Sequence, residues 1–521
     1  MHLNWHRLGV ERQWRTLVAG LVGCAYLLRL LYCAQVELLP EETYYWNYSR
    51  HLDFGYLDHP PMVAWLIRWG TALFGNTEFG VRFGALCCGV IASVFIYRLT
   101  RNLFGEAGAL LALLLAQTLP FFFFSGMLMT PDAPLVAAWA ASLHFLERAL
   151  VRGRSSAWAW AGLCMGLGFL SKYTIALLGL AAFVYLLLDP PSRRWLRRWE
   201  PYAAIAIAAL VASPVVIWNA QHEWASFAFQ TSRRLAEQPR FSLHKLIASG
   251  LVLMSPTGLV AVAAVFLKGR PRDSLETDSD ATVRAWRFLQ VSLFVPLTVF
   301  FFFSLRHEVK LDWTGAPWVA ALPAVGFAIA EAYRTRASHT RAWLLAAWPP
   351  TVVILLLVYA VGLGYLVPGL PGVGYSTQTE LLPVGWRDLG RQIDDIADDV
   401  RARNGGNVLV VGMDRYAIAS ELAFYSRNQS KSVAETSSAH LFDDMGLMYE
   451  LWFPPHEQVG RTLLLVAWKP DALAAAHLEK HVDGLEPIRE GVLVRKGSTV
   501  RRYYYRVAHG YRDDASATRV R

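Results

Sequence analysis

The densest group of ionisable and aromatic residues lies in PEETYYWNYSRHLDFGYLDHPP, directly after the first long apolar run. It contains Glu41, Glu42, Asp58 and His59. Carboxylates at a membrane surface can take a proton from a hydroxyl group, which makes Glu41 the first candidate for a general base. Glu42 lies beside it, where it would raise the pKa of Glu41 and so improve that base.

Four further segments carry charges between apolar runs. Their candidate residues are Asp132 in LMTPDAPL, Lys172 in SKYT, Arg233 and Arg234 in FAFQTSRR, and Lys310 and Asp312 in RHEVKLDWTGAP. A carboxylate at the edge of the hydrocarbon is costly and is often functional, so Asp132 is a second candidate base. Because it follows Pro131, it fits the first turn of a helix equally well. The two arginines suit a phosphate, which a guanidinium contacts in two-pronged fashion, and they also suit anchoring in lipid headgroups.

Aromatic side chains near the first apolar run are typical of a belt at the membrane interface: Tyr44, Tyr45, Trp46 and Trp65. No metal site and no cofactor is predicted. Asp58, His59 and His222 would hold a divalent metal only if folding brings them together. The 5 cysteines lie in apolar segments without CxxC spacing, which argues against disulfides and thiolate sites.

Long apolar blocks surround these segments in a chain of 521 residues that is 54% hydrophobic. Because about twenty apolar residues cross the hydrocarbon, the pattern predicts a polytopic membrane protein with about eleven spans. The formal net charge of +9 fits arginines in cytoplasmic loops rather than nucleic-acid binding. The predicted spans are 16–34, 82–100, 106–124, 131–148, 156–171, 174–189, 202–218, 246–267, 286–304, 316–332 and 342–362.

Lys172 interrupts one apolar run that is too long for a single crossing. Arginines flank this run on both sides, so the run predicts two short helices that meet at Lys172. An odd number of spans puts the N-terminus in the cytoplasm and the C-terminus outside the plasma membrane. All the charged segments named above then face the extracytoplasmic side.

The composition changes near Gly374, which predicts a transmembrane module over 1–373 and a soluble extracytoplasmic α/β domain over 374–521. The segment GWRDLGRQIDDIADDVRARN predicts an amphipathic helix, and its apolar face carries Leu389, Ile393, Ile396 and Val400. The segments NVLVVG, RTLLLVAW and VRRYYYRVA predict strands. The chain as a whole is therefore expected to be mainly α.

The charged motifs also resemble a known family in their order and spacing. EETYYW, GYLDHPPMVAWLIRW, LFGNTEFGVRF, MTPDAPLVAAW and KLDWTGAPW resemble bacterial glycosyltransferases of the GT-C superfamily. More narrowly, they are similar to the group of the dolichyl-phosphate-mannose protein mannosyltransferases and the lipid A aminoarabinose transferase, glycosyltransferase families 39 and 83. The resemblance is clearest over 35–140 and weaker through SKYT, FAFQTSRR, GWRDL and ASELAFYSRN.

The resemblance implies a GT-C type membrane enzyme that moves a sugar from a polyprenyl-phosphate donor to a hydroxyl of a lipid or protein. Direct attack of that hydroxyl would invert the anomeric carbon. The family's Asp-Glu pair corresponds to Glu41-Glu42, with Glu in place of Asp at 41, and Asp132 is the rival or helper base. The implied donor-phosphate residues are His59, Arg233, Arg234, Lys172 and Arg82, and the implied substrate-binding residues are Tyr44, Tyr45, Asp58, Lys310 and Asp312.

Two other classes remain open. A transporter or flippase for lipid-linked sugars would also need many spans and outward charges, but it is expected to carry polar groups in the helix centres. A sensor with an outer ligand-binding domain would leave Glu41 and Asp132 without a role. The sequence does not identify the sugar or the acceptor.

Overall fold

The computed structural model describes residues 5–231, 238–267, 280–334, 339–369, 382–404, 406, 408–427, 436–495 and 498–513. The chain divides into two compact units. The helical unit comprises Met1–Tyr32, His59–Leu66 and Arg82–Ala360, and the α/β unit comprises Cys33–Asp58, Ile67–Val81 and Val361–Arg521.

The α-helices are α1 Trp5–Gln35, α2 Pro40–Arg50, α3 Met62–Phe74, α4 Glu78–Phe104, α5 Glu106–Thr118, α6 Pro120–Ser125, α7 Asp132–Leu146, α8 Ala157–Phe169, α9 Ala176–Leu188, α10 Glu200–Gln221, α11 Ala225–Gln230, α12 Leu243–Leu267, α13 Asp280–Ser304, α14 Ala321–Arg334, α15 His339–Leu366, α16 Trp386–Asn404, α17 Ala417–Tyr425, α18 Tyr449–Trp452 and α19 Asp471–Ala474. A π-helical turn, Glu147–Val151, extends α7. Short 3₁₀ helices lie at Tyr173–Ile175, Pro190–Arg197, Ala316–Ala320, Ala439–Phe442, Pro455–Gln458 and Ala476–His481.

Every predicted span coincides with a helix or with a pair of short helices. Within the described ranges, 7 helices are long and apolar enough to cross a membrane, or 8 if one bent pair counts as a span. The predicted number of eleven stays a prediction. The two short helices around Lys172 are confirmed, since α8 ends at Phe169 and a 3₁₀ turn begins at Tyr173. The apolar helix α3 was not among the predicted spans.

Small residues allow close helix packing inside the helical unit. Gly162 and Gly166 of α8 lie against Ala204 and Val211 of α10, and a Cβ added at Gly166 would lie 2.7 Å from the Cβ of Val211. In a bilayer the hydrophobic effect does not drive helices together, so such backbone proximity is a main source of attraction. This packing holds α8, whose end at Phe169 lies shortly before the turn at Lys172.

The strands of the α/β unit are β1 Val408–Gly412, β2 Thr436–Ser438, β3 Thr462–Ala467, β4 Val482–Leu485, β5 Arg489–Arg495 and β6 Ser498–Tyr511. Their order is β2-β1-β3-β6-β4, with β5 paired to β6. The pairs β2–β1 and β1–β3 are parallel, and β6 is antiparallel to β3. All three predicted strands are confirmed. The predicted amphipathic helix is α16, which buries Leu389, Ile393 and Val400 and leaves Ile396 half-buried.

The segment between the first two predicted spans is not a loop, since α2 and α3 lie within it. Pro40 stands at the first position of α2, where its missing N–H costs nothing. Within the α/β unit, α2 packs on α17 through Trp46 and Phe424, whose ring centroids are 5.2 Å apart. The Tyr425 hydroxyl accepts the N–H of Leu38 at 2.8 Å. Residues from the start of the chain therefore form part of the α/β unit, which the sequence did not predict.

The predicted domain boundary at 373/374 lies among residues 370–381, which are outside the described ranges. It stays a prediction. The contact-based division adds 33–58 and 67–81 to the C-terminal region.

Candidate functional site

Three of the predicted site residues meet in the helical unit, and each is presented by a break between helices. Asp132 begins α7 directly after Pro131. Lys172 follows the end of α8, where its backbone N–H still bonds to the carbonyl of Gly168 at 2.9 Å. Asp312 lies in a turn that is closed by a hydrogen bond from the Gly315 N–H to the backbone carbonyl of Asp312 at 2.9 Å. At such breaks the backbone leaves the regular helical hydrogen-bonding pattern.

The Lys172 ammonium lies between the two carboxylates. Its Nζ is 2.9 Å from Oδ1 and 3.0 Å from Oδ2 of Asp132, and 2.8 Å from Oδ2 of Asp312. Asp132 and Lys172 are buried, whereas the Asp312 side chain is 44% exposed. We call these three residues the charge cluster. Asp312 is the accessible end of this cluster.

Electrostatic interactions keep both Lys172 and Asp312 charged. Burial lowers the pKa of Lys172, but the carboxylates of Asp132 and Asp312 outweigh it and hold that pKa above its ordinary value. Burial likewise raises the pKa of Asp312, but the ammonium outweighs it and holds the pKa of Asp312 below its ordinary value. The Asp312–Lys172 contact is therefore an ion pair throughout the physiological pH range.

The other predicted residues of the helical unit differ in their surroundings. His59 is half-buried, and the Met62 N–H three residues later donates to the carbonyl of Leu170 at 3.0 Å, close in sequence to Lys172. Lys310 is exposed in the same turn as Asp312. Arg82 is 1% exposed and donates to the carbonyl of Tyr32 at 3.2 Å, so it supports the helix packing.

The predicted pair Arg233 and Arg234 lies outside the described residues. The chain reaches Thr231 from α11, and Ser226 of α11 is hydrogen-bonded to the Tyr173 hydroxyl at 2.8 Å. Tyr173 directly follows Lys172. The phosphate-binding roles of His59, Arg82, Arg233 and Arg234 all stay predictions.

The α/β unit contains the two adjacent glutamates. Glu41 lies in the first turn of α2 with its side chain exposed. Glu42 is fully buried, and its Oε2 accepts the N–H of Leu39 at 3.1 Å. That contact satisfies an otherwise free donor at the helix start, so it gives Glu42 a capping role. The catalytic role predicted for Glu42 stays a prediction, and of the pair only Glu41 is exposed.

Asp58 lies in a cluster of tyrosines in the same unit. Its Oδ1 accepts a hydrogen bond from the Tyr44 hydroxyl at 3.2 Å and a second, short one from Tyr48. Burial raises the pKa of Asp58, although the bonds from Tyr48 and Tyr44 lower it in part. We call Asp58, Tyr44, Tyr48 and Tyr56 the tyrosine–acid cluster. The acid of this cluster is hydrogen-bonded by two phenols.

The aromatic belt predicted from the sequence is wrong for Tyr44, Tyr45 and Trp46, because they are only 2%, 7% and 1% exposed. They pack inside the α/β unit instead of facing lipid. The ring of Tyr44 lies 4.6 Å from that of Tyr416. Burial, together with the nearby charges of Glu41 and Asp58, raises the pKa of Tyr416.

Asp58, His59 and His222 are candidate metal ligands only if folding brings them together. Within the described part of the chain, no group of three or more His, Cys, Asp and Glu side chains is placed to hold a metal ion. His222 instead stacks on Trp218 at 4.1 Å between ring centroids, and its Nδ1 is 2.8 Å from the carbonyl of the same residue.

Three residues that make important contacts in the structure were not predicted from the sequence. Tyr48 follows Tyr44 by four positions, which places both on one face of α2, and this spacing was a usable signal. No sequence signal connected Tyr416 with α2, because Tyr416 follows α2 by more than three hundred residues. Arg29 was also missed, although a charge inside an apolar span is itself a sign of function.

Comparison with known proteins agrees with this architecture. Residues 58–218 match the family described as dolichyl-phosphate-mannose-protein mannosyltransferase. The chain is 32% identical over 194 residues to the lipid A galacturonosyltransferase RgtD of Rhizobium johnstonii, covering 36% of this chain and 39% of that relative. It is 26% identical to the lipopolysaccharide core galacturonosyltransferase RgtA of the same organism, covering 77% of this chain and 81% of that relative.

The fold is shared with a solved structure. ArnT from Cupriavidus metallidurans bound to undecaprenyl phosphate superposes with a TM-score of 0.59 at 16% identity, over 94% of this chain and 98% of that one. The matches confirm the resemblance that the sequence motifs predicted. The chain is a multi-pass membrane protein that shares the fold of ArnT.

Proposed function

We propose that this protein transfers a sugar from a polyprenyl-phosphate donor to a hydroxyl group of an envelope lipid, with inversion at the anomeric carbon. The observation that carries the proposal is the charge cluster, built at three helix ends in a fold shared with an undecaprenyl-phosphate-bound enzyme. Ionised groups held at such breaks are available to polar substrates. The names of RgtD and RgtA favour lipid A or lipopolysaccharide core over protein as the acceptor.

The general base is Glu41 in this proposal. Asp132 is buried and both of its carboxylate oxygens contact the Lys172 ammonium, so it is less accessible to a substrate hydroxyl than an exposed carboxylate. Glu41 is exposed, and Glu42 beside it is engaged with the backbone of Leu39. An exposed carboxylate can be approached by an acceptor hydroxyl from solvent.

The phosphate of the donor is bound by cations other than Lys172. An ammonium has three N–H donors, and Lys172 already contacts three carboxylate oxygens. A phosphate at Lys172 would have to displace one of them. His59, Arg233 and Arg234 therefore remain the proposed phosphate ligands, and Lys172 instead fixes Asp132 and Asp312. Asp312, which is half-exposed, and Lys310 beside it contact the sugar or acceptor.

The proposed reaction takes place on the extracytoplasmic face of the inner membrane, where the C-terminal region would also lie. Support comes from the arginine-rich segments that the positive-inside rule assigns to the cytoplasm. A C-terminal alkaline phosphatase fusion should be active, and a fluorescent-protein fusion exported by the general secretion route should be dark. The reverse pattern would overturn the topology and the site assignment with it.

The decisive experiment is transfer of radiolabel from polyprenyl-phosphate sugars by the purified protein in detergent, with lipid A or core lipopolysaccharide as acceptor. Galacturonosyl and aminoarabinosyl donors should be offered separately. Labelled acceptor and consumed donor support the proposal. Donor that is bound and never consumed, in the presence of acceptor, would instead fit a transporter. Mass spectrometry of envelope lipids from cells with and without the gene would identify the physiological product.

A further inference from the structure

We propose that Arg29 is a positioning residue: by holding the short helix α6, it sets the distance between the carboxylates of Asp132 and Asp312. The inference rests on the proposed function, because it concerns the charge cluster of that site. All the contacts that carry it lie within the helical unit. Arg29 contacts the end of α5 and α6, and it acts on the charge cluster through α6.

The helical hydrogen-bond ladder is broken between α5 and α6. Helix α5 ends at Thr118 and α6 begins at Pro120, which has no N–H to donate. Carbonyl groups near this break therefore lose their partners within the helix. Inside a membrane, each unsatisfied carbonyl costs several kcal/mol, so a break is tolerated only where other groups bond to it.

Arg29 supplies those bonds from the first helix. Its Nε donates to the carbonyl of Phe123 at 3.0 Å and its Nη2 to the carbonyl of Phe122 at 3.0 Å. Its Nη2 also lies 3.4 Å from the carbonyl of Gln117, and its Nη1 makes a short hydrogen bond to the Gln117 side chain. The guanidinium, which is 1% exposed, thus joins the end of α5 to α6.

Helix α6 in turn supports both carboxylates. Its last residue, Ser125, is followed by a tight turn in which Leu128 bonds to Phe124 and Ala133 to Thr130, and this turn delivers Asp132. On its other side, the ring of Phe121 fills the space where a Cβ of Gly315 would stand. The Gly315 N–H closes the turn that presents Asp312. A shift of α6 would therefore move Asp132 and Asp312 against Lys172.

An arginine is suited to this task because its planar fork donates in several fixed directions at once. An apolar side chain would leave the carbonyls bare, and a lysine would offer a single point charge. The cost of burying a charge in the membrane is justified if the helix break is needed for the site.

The test measures turnover and Michaelis constants of the full chain in detergent. Arg29→Gln should lower turnover by about a hundredfold, which is the size of effect that a misplacement of about 1 Å produces. The apparent Michaelis constant for donor should change by less than about threefold, since the proposed phosphate ligands are untouched. Arg29→Lys should be intermediate. Equal turnover in wild type and Arg29→Gln would overturn the proposal.

Tyr359→Phe is the matched control. The Tyr359 hydroxyl donates to the carbonyl of Thr118 at 2.8 Å, on the α5 side of the break, whereas its ring, which phenylalanine keeps, stacks on Phe123 of α6 at 4.0 Å between centroids. Its loss should lower the melting temperature by about 2–4 °C while turnover stays within about twofold of wild type. If Tyr359→Phe lowers turnover as much as Arg29→Gln does, the effect is general loosening, and the positioning role is wrong.

A second route covers the case in which Arg29→Gln does not fold. Gly315→Ala places a methyl group against the Phe121 ring and should push the Asp312 turn away from α6. Turnover should fall, and the double variant with Phe121→Ala should recover much of it because the ring has been removed. Wild-type turnover in Gly315→Ala would overturn the proposal by itself.

An assay without catalysis separates this inference from the proposed function. Reductive methylation followed by peptide mass spectrometry reports how accessible each lysine is, with the exposed Lys310 as an internal reference. Lys172 should react slowly in wild type and several times faster in Arg29→Gln. Faster labelling without any sugar transfer by the wild type would uphold the positioning role and refute the proposed function. Unchanged labelling beside measurable transfer would do the opposite.

Discussion

The two units stabilise the acids of their clusters in different ways. In the helical unit, Asp132 and Asp312 share the ammonium of Lys172 at 2.8–3.0 Å. In the α/β unit, Asp58 is bonded to the hydroxyl groups of Tyr44 and Tyr48. A cation favours the ionised carboxylate strongly, whereas a phenol compensates only part of the cost of burial.

This difference shows in the pKa values. The ammonium holds the pKa of Asp312 below its ordinary value, while burial leaves the pKa of Asp58 above its own. The ion pair of Lys172 and Asp312 is thus fixed in charge, and the tyrosine–acid cluster is sensitive to pH. Glu41 belongs to neither arrangement, since its carboxylate is exposed. We therefore expect the chemistry at Glu41, a constant charge on the Lys172–Asp312 pair and a structural role for Asp58.

The largest expected effect belongs to Glu41. Glu41→Gln should lower turnover by about a hundred- to ten-thousandfold, the usual contribution of a general base, while folding and donor binding are kept. Glu41→Asp should retain more activity than Glu41→Gln, because it keeps a carboxylate and shortens only its reach. Steady-state transfer assays with thermal melts as a folding check provide the measurement. Normal turnover in Glu41→Gln beside an inactive, folded Asp132→Asn would move the base to Asp132.

The second effect tests how much the Lys172 ammonium contributes to stability. Lys172→Met leaves two carboxylates without their ammonium and should reduce the stability of the helical unit by about 3–5 kcal/mol, the cost of breaking a buried pair. Lys310→Met is the matched control, because Lys310 is exposed in the Asp312 turn and should change stability by less than about 0.5 kcal/mol. Denaturation of the purified chain in detergent measures both. Similar stability in the two variants would mean that the ion pair contributes little.

The third effect concerns the donor phosphate. Removing a charge-assisted phosphate contact costs about 1.5–3 kcal/mol, so Arg233→Ala or Arg234→Ala should raise the apparent Michaelis constant for donor roughly ten- to a hundredfold. Turnover at saturating donor should change much less, in contrast to Glu41→Gln. If both single variants show wild-type kinetics, the phosphate is bound elsewhere, and His59 becomes the first residue to test.

Much of the architecture was accessible from local patterns, and the pairing of the residues was not. Apolar runs predicted the positions of the helices, and the arginines around Lys172 predicted a break there, since both signals lie within a short window of sequence. The contacts of Lys172 join residues 40 and 140 positions apart. No periodicity encodes such a contact, so the sequence assigned these three residues separate roles.

The attachment of α2 failed to emerge for the same reason, since Leu38 and Tyr425 are 387 positions apart. The aromatic residues of α2 were also ambiguous. Tyrosine and tryptophan are typical both of membrane interfaces and of polar cores, because each carries an apolar ring with a hydrogen-bonding group. Only the packing partner decides between the two, and here it comes from α17 and α18.

The smallest effect distinguishes the two clusters by pH. Tyr48→Phe removes one of the two phenol donors to Asp58 and should raise the already raised pKa of that carboxyl further. A folded-state pKa above the unfolded value means that the contribution of Asp58 to stability is complete at low pH and declines as pH rises through the folded pKa. The loss caused by Tyr48→Phe should therefore be small at acidic pH and grow to about 1–2 kcal/mol once Asp58 ionises.

Tyr56→Phe separates this linkage from the ordinary loss of a hydroxyl group. The Tyr56 hydroxyl donates to the carbonyls of Tyr48 and His51, at 3.0 and 3.1 Å. Its removal should cost about 1 kcal/mol at every pH, because no titrating group gains or loses a partner. Melting temperatures of the full chain between about pH 4 and pH 8 give the comparison, since a loss of about 1 kcal/mol shifts the midpoint by a few degrees. Parallel curves for Tyr48→Phe and Tyr56→Phe would show that Asp58 keeps one charge state over this range, and the contrast between the clusters would then lie in geometry alone.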